Sequence, residues 1–499
     1  TTLISQDRGI LLQISAVLQE ALFFPVNVAP SEGGGPLFVS WRRRVTKEIT
    51  MKVKLITRSE EDYTRERTSD LRKVQRNYDP LLHPLEKAKE YTRALNAAKL
   101  DRIFAKPFLA ALQHDDGVTC LARNPKLVNS IVAGSADGDI RIWDIPRQRT
   151  LRRLVGHTGA VKGISFTPDG QTCVSASTDA TVKLWKVPYA PFEAGVVQDD
   201  AEAVFEFHGK NAFRGIDHHW DRSSFATAGV TVDIWDHSRS EPIQTLTWGS
   251  DTVTSVRFNP AEPDVFASTG SDRAITLYDL RRATPLRKVV MQTRSNALAW
   301  NPMEPFNFTA ANEDCCLYTF DMRKLESALS VHKDFVSAVM DVDYSPTGRE
   351  FVAGSYDRSL RIFSVSGGHS REVYTTKRMQ RVFAVRFSGD ATYVFSGSDD
   401  MNVRCWKAKA SEQLGIRLPR EKHKQAYNDA LLERYKHMPE VKRIVRHRHL
   451  PAAIYKAAKT RRTIVESDKR KLQRRIEHSA PGSIVVPSER KKKILAQVE

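Results

Sequence analysis

Small residues lead into an acidic turn, and alternating apolar and polar positions then run to an aromatic. The chain repeats this pattern. GSADGDIRIWD, Gly134 to Asp144, is one copy. Others are SASTDATVKLWK ending at Lys186, STGSDRAITLYD ending at Asp279, AGSYDRSLRIFS ending at Ser364 and SGSDDMNVRCWK ending at Lys407. Within them Ile140 and Ile142, or Val182 and Leu184, fall on one face, with Arg141 or Lys183 on the other, as in a strand. Aligned on the aromatic, the copies place Trp143, Trp185, Trp235, Tyr278, Phe320, Phe363 and Trp406 at separations of 42, 50, 43, 42, 43 and 43 residues. A period of about 40–45 residues is that of a β-propeller with one four-stranded blade per repeat. Seven anchors predict an all-β seven-bladed propeller.

The departures from this period divide the chain. Residues 1–50 read as a poorly ordered extension, with a break at SEGGGP and Met51 as the start of the working protein. Gly9 to Ala29 is too short and too polar to span a membrane. Residues 51–101 read as a charged N-terminal arm, helical over Leu85–Leu100 and lying on the propeller or reaching a neighbour. The propeller is assigned to residues 102–410, with IFAKPFLAAL as the strand that closes the ring. In the third repeat, ATAGVTVDIWD has no Asp six residues before Trp235, and VPYAPFEAGVVQDDAEAV is inserted near 187–204. An insertion of that kind maps to a loop at a blade edge.

Residues 411–499 change from strand to helix. Glu421–His437 reads as one helix, and a second starts at Pro451, a favourable first-turn residue, and runs to about His478. Ile454, Ala458, Val465, Leu472 and Ile476 form a narrow apolar stripe on it.

Charge changes this picture more than composition does. The chain carries +18 formally, yet residues 102–410 hold 37 basic against 36 acidic residues, whereas 411–499 hold 23 against 10. A near-neutral propeller with a basic tail suggests contact with nucleic acid or an acidic partner. The cationic candidates are Lys442, Arg443, Arg446, His447, Arg448 and His449, then Arg461, Arg462, Lys469, Arg470, Lys471, Arg474 and Arg475. Such a surface neutralises phosphates with salt-dependent affinity. The competing reading docks the apolar seam on another protein, with the charges steering it. Both stay open. Basic clusters of this kind also serve as nuclear import signals.

Catalysis finds no support. His114, His157, His208 and His332 lie 27 to 31 residues before their aromatics, and Asp137, Asp179, Asp272, Asp314, Asp357 and Asp400 lie six before theirs. Groups that recur with the fold period are read as a buried His–Ser/Asp–Trp network of each blade. No phosphate-binding loop, zinc signature or nucleophile elbow is present, and His218-His219 is a lone pair. The reading is a non-enzyme without cofactor, metal or small-molecule substrate. The five cysteines have no ligand spacing and are read as apolar strand residues, as in a reducing compartment.

Three stretches resemble a known family. They are MKVKLITRSEEDY at 51–63 with RNYDPLLHPLEKAKEYTRALNAAKLDRIFAKPFLAAL at 76–112, the seven repeats, and REKHKQAYNDALLERYKHMPEVKRIVRHRHLPAAIY at 420–455 with HSAPGSIVVPSERKK at 478–492. Together they resemble the WD-repeat proteins with a Sof-type C-terminal domain, nucleolar components of the small-subunit processome. The resemblance covers about residues 51–499. It implies a scaffold for maturation of small-subunit ribosomal RNA in the nucleolus, working with processome proteins, pre-ribosomal RNA and a box C/D guide RNA particle. Carried over by segment, Lys442 to His449 and the helix after Pro451 are the implied ribosomal contact elements. Animal members also imply a second role, substrate receptor of a cullin-RING ubiquitin ligase through WD-x-R type boxes. The candidates here are Asp279 with Arg281 and Asp321 with Arg323, both with the Trp replaced, and ordinary blade exits have the same Asp-x-Arg spacing.

Overall fold

The computed structural model describes residues 79–187, 202–247, 251–282 and 284–498. The expectations for residues 1–50, for the first part of the 51–101 arm and for residues 188–201 of the insertion lie outside the described residues.

Each repeat folds into a four-stranded antiparallel sheet, and seven of them form the ring that the period predicts. Blade 1 is built from Val118–Arg123, Ser130–Ser135, Ile140–Asp144 and Arg149–Leu154. Blade 4 begins with Val253–Phe258, Val265–Gly270, Ala274–Asp279 and Arg287–Met291. Blade 5 follows with Ser295–Trp300, Asn307–Asn312, Leu317–Asp321 and Ser330–His332. Blade 6 ends on Ser370–Tyr374. The anchor aromatics of all seven repeats are buried, from 7% exposed at Trp143 to 0% at Phe320 and Phe363. They join hydrophobic clusters that each bridge two neighbouring blades, and the cluster of Trp143, Leu112, Phe395 and Val403 closes the circle between blades 7 and 1. Gly163 lies where the innermost strands of blades 2 and 3 meet. A Cβ there would come within 2.9 Å of the Ile216 backbone nitrogen, so only glycine fits.

Closure comes from the chain ahead of the first repeat. Phe108–Gln113 pairs antiparallel with Asn402–Lys407 of blade 7, Ala110 opposite Cys405 and Gln113 opposite Asn402. The sequence placed this strand from Ile103, but helix α1 (Glu86–Ile103) continues through that residue, and the strand starts only after Pro107. Proline restricts the residue before it to extended backbone, which ends the helix and begins the strand.

The acidic turns have one shape. Gly138, Ala180, Arg273, Cys315, Arg358 and Met401 each follow the repeat's Asp, and each has φ between 62° and 92°. The Asp carboxylates of four such turns accept the backbone N–H two residues on: Thr181 at 2.9 Å, Ala274 at 3.1 Å, Cys316 at 3.0 Å and Ser359 at 3.0 Å. This Asx closure holds side-chain-bearing residues in the left-handed region despite its steric cost. In blade 3, where the Asp is missing, the shortened turn closes from Gly229 N to Thr231 O at 3.0 Å.

The expected polar network is complete in blade 2. Trp185 Nε1 donates to Ser175 Oγ at 2.8 Å, Ser175 Oγ lies 2.7 Å from His157 Nε2, and His157 Nδ1 lies 3.0 Å from Asp179. Elsewhere it is partial. In blade 1 Trp143 donates to His114 at 2.9 Å, but Asp139, not Asp137, takes the charge partners, Arg153 at 2.8 Å and Arg141 at 3.1 Å. His208 is exposed and joins no such network among the described residues. Cys120, Cys173, Cys316 and Cys405 are buried free thiols, raised by burial to about 12, 12, 11 and 12.

Beyond the ring, α2 (Pro419–Arg434) and α3 (Pro439–Arg446) pack on α1, whose Ala94, Ala97 and Ala98 are buried. Small side chains let the helices approach closely. Tyr91 donates to Glu440 at 2.9 Å, and Arg434 pairs with Glu90 at 2.9 Å. α4 (Ala452–Glu477) is the long basic helix. The chain then returns to the ring as a strand absent from the sequence reading. Ile494–Val498 adds a fifth strand to blade 4, Lys288 opposite Val498 and Met291 opposite Ile494. No helix among the described residues is long and apolar enough to cross a membrane.

Burial holds His114, His218 and His332 neutral, each lowered from 6.5 to about 4. The unfolded chain takes up these protons near pH 6.5 and the folded chain does not. Their contribution to stability is therefore full above pH 6.5 and is lost as pH falls towards 4. Urea unfolding followed by tryptophan fluorescence across that window is expected to show falling stability, with a shallower slope in His114→Gln than in the parent.

Candidate partner and nucleic-acid interfaces

Two kinds of turn make up each face of the ring. The turns between first and second strands, and between third and fourth, share one face. The Asp-x-Arg boxes sit on it, at the ends of the third strands of blades 4 and 5. Asp279 accepts from the Arg281 backbone at 3.0 Å and from its Nε at 3.1 Å. Asp321 does the same for Arg323 at 2.9 and 3.1 Å, with a second guanidinium bond at 3.1 Å. Both arginines remain largely exposed, at 70% and 62% of the side chain.

Each box is tied to its neighbours. Arg287 donates to the carbonyls of Met322 and Arg323, joining blade 4 to the second box. Asp264 pairs with Arg222 of blade 3 at 3.1 Å and with Arg281 at 3.5 Å. The Arg323 guanidinium lies 4.3 Å from the Phe306 ring centre, a cation–π contact. Trp220, Met303 and Phe306 stand exposed on turns of the same face. Hydrogen bonds donated to Asp279 and Asp321, with the charges of those carboxylates, raise the Arg281 and Arg323 guanidiniums. Burial alone would raise the Asp321 carboxyl, but the side-chain and backbone bonds from Arg323 outweigh it and hold the carboxyl below its usual range. Each arginine is thus fixed in direction and charged.

The basic candidates separate into two groups. Lys442, Arg443, Arg446, His447 and His449 are exposed around the end of α3, and Arg462, Lys469, Arg470, Lys471, Arg474 and Arg475 are exposed along α4. Arg448 and Arg461 turn the other way. Arg461 donates to the Asp314 carbonyl at 2.9 Å and to the Phe335 carbonyl, fastening α4 to the opposite face of blade 5 and its neighbour. Arg448 donates to the His447 carbonyl at 3.1 Å and to the Arg371 carbonyl of blade 6. Burial, with Arg102 and Arg371 nearby, holds its guanidinium below the usual range despite Glu372. These two are correspondingly revised from the expected ligand-facing set: they anchor the domain. The apolar stripe on α4 is spent unevenly. Ile454 is buried, Ala458 and Leu472 are half-buried, and Val465 and Ile476 are exposed.

Sequence reasoning missed Arg102. Its guanidinium lies 3.4 Å from Glu372 and donates to the Val445 carbonyl at 2.6 Å, so α1, blade 6 and α3 meet there. A cavity of about 740 Å³ opens at this junction, lined among others by Pro107, Val373, Arg443, His447 and His449. Only the sequence position of Arg102, just before the closing strand, hinted at it. Among the described residues no cluster of His, Cys, Asp and Glu is arranged to hold a metal ion.

Comparison with known proteins agrees with this architecture. Residues 408–494 match the Sof1-like domain. Residues 107–144, 148–186, 240–279, 323–364 and 368–407 match the WD domain, G-beta repeat. The blade with the missing turn Asp and the blade anchored on Phe320 lie between these matches. A Gallus gallus protein named DDB1- and CUL4-associated factor 13 is 52% identical over 450 residues, covering 90% of this chain and all of its own. Its Homo sapiens and Xenopus laevis counterparts, each with the same name, are 50% identical over the same lengths.

Replacing Arg461 with Ala removes the donors that hold α4 on the ring. Hydrogen–deuterium exchange is expected to show lost protection over 452–477 with the blade strands unchanged; unaltered protection of α4 would show that Arg461 is not its anchor.

Proposed function

The chain belongs to the family of WD-repeat proteins with a Sof1-like domain, and from that premise we propose that it is a non-catalytic adaptor, a substrate receptor of a cullin-RING ubiquitin ligase. The observation that carries this reading is the pair of Asp-held arginines on adjacent blades. Long side chains lose rotamer entropy when they dock, on the order of 0.5–1.5 kcal/mol each. Arg281 and Arg323 have surrendered much of that freedom already, because their own aspartates hold them. Arginine and aromatic side chains are also the residues that anchor protein interfaces; Phe306 lies against Arg323, and Met303 and Trp220 are exposed on the same face. The relatives' name carries the partners this surface would meet, DDB1 and CUL4. Ubiquitin transfer chemistry would belong to the ligase, and the propeller would supply position.

A second reading rests on a different surface. The Sof1-like domain presents Arg462, Lys469, Arg470, Lys471, Arg474 and Arg475 along a 26-residue helix, about 39 Å long at 1.5 Å per residue. The named cations cover about 20 Å of it, from Arg462 to Arg475, and such a line supports contact with RNA phosphates. Together with the processome role that the family resemblance implies, it supports the reading of a nucleolar small-subunit processome scaffold, with pre-ribosomal RNA and a box C/D guide RNA particle as partners. The boxes and α4 lie on opposite faces of the ring, so the two roles do not compete for residues.

Arg281→Ala combined with Arg323→Ala is expected to weaken capture of purified DDB1–CUL4 more than about tenfold, with an unchanged unfolding midpoint because both side chains are exposed. An unchanged pull-down would remove the adaptor reading. For the second reading, Arg470, Lys471 and Arg474 replaced by Glu should abolish co-sedimentation with large pre-ribosomal particles. Wild-type sedimentation would sink it. These substitutions are preferred to deletion of 411–499, which would also strip the fifth strand from blade 4.

A further inference from the structure

The junction of α1, blade 6 and α3 has features that the fold alone does not use. Its cavity, about 740 Å³, is within the size range of small-molecule pockets. Its floor is apolar: Ala105, Pro107, Val373 and Ile444. Its rim is cationic. Glu372 is the acid in the lining, and Arg102 already pairs with it at 3.4 Å. Arg443, His447 and His449 stand exposed on the rim without a side-chain hydrogen bond among the described residues. Arg448 is committed through both terminal nitrogens to backbone carbonyls, yet its buried Nε has no hydrogen-bond partner among the described residues.

An apolar floor under a cationic rim suits a ligand with one flat apolar part and one anionic part. We propose that this cavity seats one unstacked nucleotide of a single-stranded RNA, the base on the floor and the phosphate against Arg443 and His447. The inference rests on the RNA-scaffold reading and gives it a specific site. Charge and continuity favour RNA over a phosphorylated peptide. His449 leads within two residues to Pro451 and α4, so a strand that leaves the cavity along that helix reaches its exposed cations from Arg462 onward. A duplex cannot enter, because its bases are stacked and paired; a splayed base can. Arg102 acts as a positioning residue, holding α3 to blade 6 through Val445 and Glu372.

The test uses the full chain and a fluorescein-labelled oligoribonucleotide of about 12 nucleotides bearing 4-thiouridine, titrated by anisotropy at several salt concentrations. Photocrosslinks are expected in 444–449 and 105–107. Arg443→Gln with His447→Gln should weaken binding about tenfold, the loss expected for a charge-assisted phosphate contact. The same variant should lower the salt slope by about one and keep the wild-type unfolding midpoint. Wild-type affinity in that variant, with crosslinks confined to α4, overturns the nucleotide seat and leaves the RNA reading standing. Absence of binding by the unaltered chain overturns both. Displacement of the oligonucleotide by a phosphoserine peptide, with no crosslink in the cavity, overturns the assignment to RNA.

Discussion

The pairing of Phe108–Gln113 with Asn402–Lys407 is the constraint on which the rest of the molecule depends. A ring of blades has no stable open form, since an unclosed ring leaves one inter-blade apolar face in water and a sheet edge unpaired. Closing it with a strand from the N-terminal side also brings two distant parts of the chain together. Lys407 N donates to the Pro107 carbonyl at 2.8 Å and Lys106 N to the Ala410 carbonyl at 3.2 Å. Residues before 107 and after 407 must therefore leave the ring at the same place. The packing of α1 on α2 and α3 follows from that geometry, and so does the cavity between them.

The C-terminal domain then holds to the ring through several local devices. Arg448 is anchored at blade 6, Arg461 at the turn between the second and third strands of blade 5 and at the link from blade 5 to blade 6, and Ile494–Val498 at the edge of blade 4. Each anchor satisfies backbone groups that the propeller leaves open at its turns and its outer edge. The cations that remain exposed are those that face away from these contacts. The same basic composition thus serves two ends, docking inward and presenting charge outward, and only position separates them.

The boxes show a related economy. Asp279 and Asp321 close their blade exits as ordinary turn residues would, and in doing so they fix Arg281 and Arg323. Sequence alone could not separate a blade exit from a docking element, because both need the same Asp-x-Arg spacing. The structure adds what the spacing lacks: Arg287 tying the outer strand of blade 4 to the second box, the Phe306 ring beneath Arg323 and exposed apolar neighbours on the same face.

The sequence by itself determined the ring. Alternation at period two, a buried aromatic per repeat and an Asp ahead of a left-handed residue are local rules, and local rules are written in adjacent residues. It also showed that excess positive charge gathers after residue 410. Only the tertiary structure decided which of those charges are free. Arg448 and Arg461 look like their neighbours in sequence, but carbonyls from residues 77 and 147 positions earlier take up their donors. The fifth strand of blade 4 was equally illegible, since ILAQV becomes a strand only because Arg287–Met291 offers it an open edge. Contacts between residues so far apart leave no periodic trace in the chain, and that is why the fold could be read from the sequence while much of the candidate site could not.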